Sequence, residues 1–128
     1  MRLLLISLIS LFCFSLYAGD NNVEIRTKGS NSLIHIDQVG NGNTARVWCG
    51  LSQGTYTTHK CKNATIDIDQ NGTSNVARAY SQVANHTANE YKIDQDGNDN
   101  FGYIDADDDG NDMDVVQDGN NNDAEIYM

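Results

Sequence analysis

Three aspartates in the stretch DADDDG, at 105–110, have the clearest capacity for chemistry. Asp105, Asp107 and Asp109 alternate and are followed by Gly110, which matches the start of an EF-hand calcium loop. Position 12 of such a loop is Val116, where an EF-hand needs a glutamate. The surrounding pattern also places this segment between strands and not between helices. It is therefore a calcium candidate with an incomplete ligand set, and a solvated acidic turn is the alternative.

Cysteines and histidines offer a second set of reactive groups. In an oxidising compartment Cys49 and Cys61 are expected to form a disulfide that closes an eleven-residue loop. A metal site that includes His59 is the alternative, although the spacing fits no common zinc pattern. His35, His59 and His86 have no partner at a catalytic spacing, so we expect neither enzymatic activity nor a cofactor.

Residues 1–18 have the pattern of a secretory signal peptide. Arg2 precedes the apolar run LLLISLISLFCFSLY, and Ala18 supplies a small residue at the cleavage position. A membrane anchor is the alternative, but the chain becomes polar directly afterwards and has no second apolar span. We therefore expect a secreted mature chain, of the length of one small domain, that does not insert into a membrane.

Composition and charge narrow the choice of fold and partner. The chain has no proline, and after residue 18 it is rich in Asn, Asp and Gly, which are poor material for a conventional core. Residues 19–89 carry five acidic and six basic residues, whereas residues 90–128 carry thirteen acidic residues and one basic residue, Lys92. Such a surface is a poor partner for nucleic acid or for an anionic membrane.

Four related segments recur along the chain: HIDQVGNGNTA, DIDQNGTSNVA, KIDQDGNDNFG and DVVQDGNNNDA. Their glutamines are spaced by 32, 25 and 22 residues, which indicates a unit of about 22 residues with insertions of ten and three. The longer insertion falls at 49–61. Residues 19–31 add a lead-in and a half repeat, NNVEIRT, which matches NDAEIYM at 122–128. Half a repeat plus four whole ones, at 32–128, predicts a solenoid.

Each repeat is predicted to be two strands joined by a turn. Ile34, Ile36 and Gln38 lie two residues apart, and a period of two indicates a strand with one inward face. Gly and Asn between the two strands indicate a tight turn. The predicted fold is an all-β solenoid of stacked strand–turn–strand repeats, with turn glycines at Gly40, Gly72, Gly97 and Gly119.

Stacked repeats place like residues in columns about 4.8 Å apart. An inward amide group with an unpaired donor or acceptor costs about 1–3 kcal/mol, but in a column it can donate to one neighbour and accept from the other. Two assembly ladders are therefore predicted, with solvent-facing turn residues as the alternative. Their members are Gln38, Gln70, Gln95 and Gln117 in one ladder and Asn43, Asn75, Asn100 and Asn122 in the other.

Outward positions form columns of their own. Asp37, Asp69 and Asp94 make a carboxylate column, which is interpreted either as gatekeepers that slow premature assembly or as a cation site. Trp48 lies in a column with Tyr80 one repeat further on, which is interpreted either as a stacked pair or as two surface aromatics.

The repeat resembles the curlin repeat, whose pattern is Ser-x5-Gln-x-Gly-x-Gly-Asn-x-Ala. The later copies depart from it, for example with Ala64 for Ser, Ser74 for the second Gly and Gly102 for Ala, and the family's second Gln is kept nowhere. The first copy matches in full, at Ser32, Gln38, Gly40, Gly42, Asn43 and Ala45.

The resemblance implies a secreted subunit of extracellular amyloid fibres, called curli, that serve biofilm formation and adhesion. It implies as partners the chain itself, other curlin-type subunits, an outer-membrane secretion pore and periplasmic accessory proteins. It leaves open whether the chain is the major subunit or a nucleator.

The residues point in the same direction, because an uncapped solenoid exposes strand edges that template another chain. When unlike ends of identical subunits bind each other and the subunits do not close into a ring, further copies keep adding and a filament results. The chain begins and ends on the same half repeat, which we interpret as favouring head-to-tail growth. The alternative is a non-polymerising acidic β-solenoid, either a calcium-stabilised adhesin or a fibre-capping or nucleating subunit.

Overall fold

The structure is a computed structural model that describes residues 11–16, 20–27, 31–50, 61–81, 89–106 and 110–128. In these ranges the chain forms ten strands, and the described residues include no helix that could cross a membrane. The strands are β1 (Leu11–Leu16), β2 (Val23–Thr27), β3 (Leu33–Gln38), β4 (Ala45–Cys49), β5 (Thr65–Gln70), β6 (Ala77–Ser81), β7 (Glu90–Gln95), β8 (Gly102–Ala106), β9 (Asp112–Gln117) and β10 (Ala124–Tyr127).

Odd-numbered and even-numbered strands form two separate parallel sheets. Sheet A has the order β1-β3-β5-β7-β9, and sheet B has the order β2-β4-β6-β8-β10. Two consecutive strands, one from each sheet, make what we call a rung, so that β3 and β4 form one rung and β9 and β10 form the last. Like positions of the repeats face one another in register, as Gln38 does Gln70. The predicted β-solenoid of strand–turn–strand repeats is confirmed.

One core cluster runs between the two sheets. The burial alternates along the strands, so that the inward positions of β3 to β8 are buried and the outward ones are not. Sheet A contributes mainly large side chains, such as Ile36, Ile68 and Ile93. Sheet B contributes several small ones, such as Ala77 and Ala79, so the large and small side chains of the two sheets fill one core together.

The first rung differs from the expected half repeat. Strand β1 lies within the predicted signal peptide, yet it pairs in parallel with β3 in the same 22-residue register, with Phe14 beside Ile36. Together with β2 it makes the first rung complete. Pattern analysis missed this strand because its apolar run does not alternate with polar residues. The signal-peptide assignment of residues 1–18 stays a prediction.

The longer insertion follows β4 and leaves the stacking intact. Residues 51–60 lie outside the described residues, but β4 and β6 pair in register, with Arg46 beside Arg78 and Cys49 beside Ser81. The predicted disulfide between Cys49 and Cys61 is confirmed, with a Cα–Cα distance of 5.5 Å. Both cysteines are buried, and a bridge across a loop of this length stabilises the fold by about 2–3 kcal/mol.

Candidate assembly site

The predicted glutamine column lies at the last residue of each sheet A strand from β3 onwards. Gln38 Nε2 donates to Gln70 Oε1 at 2.8 Å, and Gln117 Nε2 donates to Gln95 Oε1 at 2.8 Å. The two bonds run in opposite directions, and Gln95 Nε2 instead donates to the carbonyl of Phe101 at 3.1 Å. Gln70 Nε2 is left buried without a partner among the described residues. The structure thus forms two bonded pairs where the sequence predicted a continuous ladder.

The asparagine column is more continuous and extends further than predicted towards the N-terminus. Asn75 Nδ2 donates to Asn43 Oδ1 at 3.0 Å, and Asn100 Nδ2 donates to Asn75 Oδ1 at 2.8 Å. Asn43 in turn donates to Asn21 at 3.5 Å. Sequence analysis did not name Asn21, although its position 22 residues before Asn43 is the signal that could have found it.

The last predicted member of that column lies outside it. Asn122 Nδ2 donates to the backbone carbonyl of Gln117 at 3.2 Å, and the described contacts leave Asn100 Oδ1 buried without a partner. Asn122 is exposed because it lies in the last rung, where solvent competes for its amide. The ladder therefore ends one rung before the last.

The buried asparagines also close their own turns. Asn43 Nδ2 donates to the Gly40 carbonyl at 2.7 Å, and Asn75 Nδ2 donates to the Gly72 carbonyl at 2.8 Å. One amide group therefore fixes both the shape of a turn and its spacing to the next rung.

Further polar ladders run along the exposed side of the turns, and sequence analysis missed them. They join equivalent positions of adjacent rungs, so the spacings of 32, 25 and 22 residues between the repeats were the available signal. The bonded pairs are Asn63 to Asn31 at 3.3 Å, Thr73 to Asn41 at 3.1 Å, Asn71 to Asp96 at 2.9 Å, Asn120 to Asn98 at 3.1 Å and Asn121 to Asp99 at 2.9 Å.

Three of the predicted turn glycines, Gly72, Gly97 and Gly119, are required by stacking, not by turn geometry. A Cβ atom on Gly72 would lie 1.7 Å from the Gly40 carbonyl oxygen, and one on Gly97 would lie 1.8 Å from the Gly72 oxygen. Gly119 repeats the contact with Gly97 at 1.5 Å. Each glycine therefore makes room for the backbone of the adjacent rung. The left-handed residue of each turn lies two positions later, at Gly42, Ser74, Asp99 and Asn121.

The outward face of sheet A carries a charged cluster around one lysine. Lys92 Nζ lies 3.6 Å from Asp94, 3.9 Å from Asp69 and 4.0 Å from Asp67. The Asp67 carboxylate in particular raises the pKa of Lys92, whereas burial, followed by the charge of Asp67, raises the pKa of Asp69. The predicted column of Asp37, Asp69 and Asp94 is present in register, with Lys92 beside it.

Two groups of residues bear on cation binding. A nitrogen of His35 and one oxygen each from Asp67 and Asp69 lie within 4.8 Å of one another, with His35 Nδ1 at 3.3 Å from Asp67 Oδ2. The Lys92 ammonium already supplies positive charge to these carboxylates. Of the predicted calcium residues, Asp107 and Asp109 lie outside the described residues. Asp105 lies on β8 and accepts a hydrogen bond from the Tyr103 hydroxyl at 3.3 Å.

The outward face of sheet B carries a column of rings. Trp48 and Tyr80 stack with centroids 5.5 Å apart and planes 9° from parallel, which is the first of the two interpretations of this pair. Tyr103 continues the column at 5.3 Å from Tyr80, and Tyr127 lies 5.6 Å from Tyr103. The Arg26 guanidinium covers the other face of Trp48 at 4.9 Å. These contacts run along the stacking axis, so they reinforce the register of sheet B.

The last rung exposes positions that are buried elsewhere. Ile126 pairs with Ile104, yet Ile126 is 44% exposed and Ile104 is fully buried. Met113 and Val115, the inward residues of β9, are only partly buried. Among the described residues, β9 and β10 each pair with one neighbouring strand only. Among the described residues, this end therefore has two strand edges without a partner strand, and its core-facing side chains are only partly covered.

Comparisons of the chain with protein-family models, with curated proteins and with solved structures found no match.

Proposed function

We propose that this chain is a secreted structural subunit that assembles head-to-tail into extracellular, curli-like amyloid fibres. The observation that carries the proposal is the open last rung. Its strands repeat the interior pattern, but Ile126 and the inward face of β9 have no rung stacked on their outer side among the described residues. A further rung of the same pattern would fill these positions and pair both edges.

The internal stacking supports the proposal because it already has the features of an amyloid core. Parallel, in-register strands with amide ladders and ring columns along the axis are the contacts that stabilise cross-β fibres. Each rung meets only its neighbours, so a second copy can continue the same columns without a new kind of interface. The Cys49–Cys61 disulfide suits an oxidising compartment outside the cytoplasm.

The direct test is to incubate the purified chain and to follow thioflavin fluorescence together with fibre imaging. Ile126→Lys would place a charge in the core of the junction, where burying it without a partner is costly, so we expect elongation to slow at least about tenfold. Val116→Lys is the matched control, since Val116 lies in the same rung, faces outward on β9 and is 43% exposed, close to the 44% of Ile126. No fibres from the parent chain, or equal rates for the two variants, would overturn the proposal.

A capping or nucleating subunit is the second candidate, and the charge of the last rung favours it. Residues 110–128 carry five acidic residues and no basic residue, so two such ends repel each other. A cap would bind to the ends of fibres made by a related subunit and stop their elongation, without forming fibres alone. Adding the chain to growing fibres of a curlin-type subunit separates the two functions.

A further inference from the structure

The outward faces of the two sheets carry different charges. Sheet A presents seven acidic side chains and one lysine on β3, β5, β7 and β9. On sheet B, strands β2, β4 and β6 present three arginines and one glutamate, and we call this surface the basic face. Strands β8 and β10 carry acidic residues at the equivalent positions, so the positive charge is confined to the first three strands of sheet B.

Two arginines of the basic face lack an ionic partner. Arg46 and Arg78 lie side by side in register, and neither forms an ion pair among the described residues. Glu24 lies beside Arg46 but pairs with Arg26 at 2.7 Å instead. Arg46 Nε is a buried donor without a hydrogen-bond partner in the described part of the chain. Because adjacent like charges repel, carboxylates that approach both guanidinium groups would be bound favourably.

The acidic face of sheet A has too little positive charge of its own. Lys92 Nζ lies within 4.0 Å of three carboxylates, those of Asp67, Asp69 and Asp94. Burial, followed by the charge of Asp67, raises the pKa of Asp69 even though Lys92 is close. An open groove of about 350 Å³ on this face is lined by Asp69, Lys92, Asp94 and Asp96, among others. A guanidinium group from outside the chain would find both space and carboxylates there.

We propose that the basic face of one copy docks on sheet A of a second copy, so that Arg46 and Arg78 pair with Asp69 and Asp94 of the carboxylate column. Each pair of residues belongs to neighbouring strands of a parallel sheet, so both pairs repeat at about 4.8 Å and match without distortion. Sheets that pack face to face lie about 10 Å apart, which an arginine and an aspartate side chain can bridge together.

This inference rests on the proposed fibre and describes how fibres associate sideways. The outer face of five strands of about five residues covers roughly 400 Å². A stable complex buries about 800 Å² on each partner, so two single chains should stay apart. The stacked rings of Trp48 and Tyr80, on the same strands as the arginines, add rigid contact surface. In a fibre the contact recurs with every copy, and the linked contacts hold two fibres together.

Preformed fibres of the parent chain test the contact through its dependence on salt. The net charge of −10 per chain makes fibres repel one another at long range, and this repulsion must be screened before local pairs form. At about 0.1 M NaCl, where the Debye length is about 10 Å, we expect bundles in electron micrographs. At about 1 M, where it is about 3 Å, the bundles should separate. Bundles that thicken at the higher concentration would indicate an apolar contact and overturn the inference.

Two double variants with the same change of net charge test the arginines themselves. Arg46→Gln with Arg78→Gln removes the cationic half of every contact and should lower the fraction of bundled fibres at least about fivefold. Asn41→Asp with Thr73→Asp changes the charge equally at exposed turn positions outside both faces. It should leave the bundled fraction within about twofold. The same bundled fraction in both variants would overturn the inference.

An exchange of charges gives a readout that damage to the fold cannot imitate. Fibres of Arg46→Glu with Arg78→Glu and fibres of Asp69→Lys with Asp94→Lys should each bundle poorly alone. When the two kinds are labelled with different fluorophores and mixed, they should form bundles that contain both labels. The acidified sheet B of the first then fits the basic sheet A of the second. Mixtures that remain as single fibres would overturn the proposed pairing.

The alternative occupant of the basic face is a soluble polyanion, and dextran sulfate is the probe for it. Dextran sulfate that binds parent fibres through Arg46 and Arg78 while these fibres remain single would assign the face to a polyanion and overturn the inference. Parent fibres that remain single at every salt concentration would also overturn it, while leaving head-to-tail assembly in place. A parent chain that forms no fibres overturns both.

Discussion

The rung of β7 and β8 and the rung of β9 and β10 carry the same pattern but differ in what the fold does with it. In the first of these rungs Ile104, Gln95 and Asn100 are buried. In the second rung the equivalent Ile126 is 44% exposed, and Asn122 bonds to a backbone carbonyl instead of the ladder. The difference lies in the number of neighbours, two for the inner rung and one for the last among the described strands.

This comparison shows that a rung of this chain does not contain its own core. An inward side chain is covered partly by the opposite sheet and partly by the equivalent residues above and below it. Stability in such a fold is close to a sum of nearest-neighbour terms, so the last rung is the weakest part of an isolated chain. In the proposed fibre it would gain a second neighbour and should become equivalent to the inner rungs.

The largest difference in stability is expected when the equivalent isoleucine of each rung is replaced by alanine. Ile104→Ala should lower the free energy of unfolding of the monomer by about 2–5 kcal/mol, because it empties a fully buried site. Ile126→Ala should lower it by about 1 kcal/mol or less, because the side chain is half exposed already. Urea unfolding of the monomer measures both.

In fibres the two costs should approach each other, since a second copy would cover Ile126. Resistance of fibres to denaturant is the measurement. A difference between the two variants that persists unchanged in fibres would contradict the idea that the last rung is buried at the junction.

The stacked glycines allow the inner rung and the last rung to be compared through their backbone contacts. Gly97→Ala would drive a Cβ into the Gly72 carbonyl, with a rung on either side to prevent relief, and we expect a cost of about 3 kcal/mol. Gly119→Ala makes a similar clash with the Gly97 carbonyl, but its rung has one neighbour and can shift. Its cost should be nearer to about 1 kcal/mol. Equal costs in urea unfolding would mean that the last rung is held as firmly as the inner ones.

Substitutions in the glutamine column compare a buried inner rung with the last rung through their side-chain hydrogen bonds. Gln70→Ala removes the acceptor of Gln38 in the buried interior and should cost about 1–3 kcal/mol. Gln117→Ala removes the donor to Gln95 at a partly exposed site, where water replaces part of the bond, and should cost about 1 kcal/mol or less.

Asp69→Ala is the control that tests which residues of β5 face inward, because Asp69 adjoins Gln70 and faces outward. It should weaken folding and fibre growth less than Gln70→Ala does. Growth rates in the opposite order would contradict the inward position of the glutamines.

The smallest expected effect concerns the charged face of the inner rungs. Burial and then Asp67 raise the pKa of Asp69 above its usual 3.8, so the folded chain binds more protons there than the unfolded chain does. The contribution of this group to stability therefore falls as pH rises from 3.8 through the raised pKa. Asp69→Asn should remove that part of the pH dependence.

Urea unfolding of the parent and of Asp69→Asn across this range is the measurement. His35, Asp67, Lys92 and Asp94 surround the group, and they stay in place in both chains. The stability difference between the two chains should grow with rising pH in favour of the variant. A difference that shrinks would mean that the Lys92 charge outweighs the burial of Asp69.

The fold could be predicted from the sequence because its signals are local and repeated. A period of two identifies the residues that face inward, and the spacings of 32, 25 and 22 residues between the repeats identify the residues that stack. The Asn43–Asn75 bond and the contact of Trp48 with Tyr80 are both pairs at the spacing of 32. The Cys49–Cys61 bridge followed from the oxidising compartment predicted for a secreted chain.

The repeat, the inward phase, the columns and the disulfide could therefore be read from the order of the amino acids. It took the folded chain to reveal that β1 completes the first rung, that the glutamine bonds run in opposite directions and that Lys92 lies among the aspartates. The physical reason is that these features depend on what lies on both sides of a residue along the stacking axis. A side-chain amide can donate either way, and a continuous apolar run has no inward phase until a neighbouring strand pairs with it.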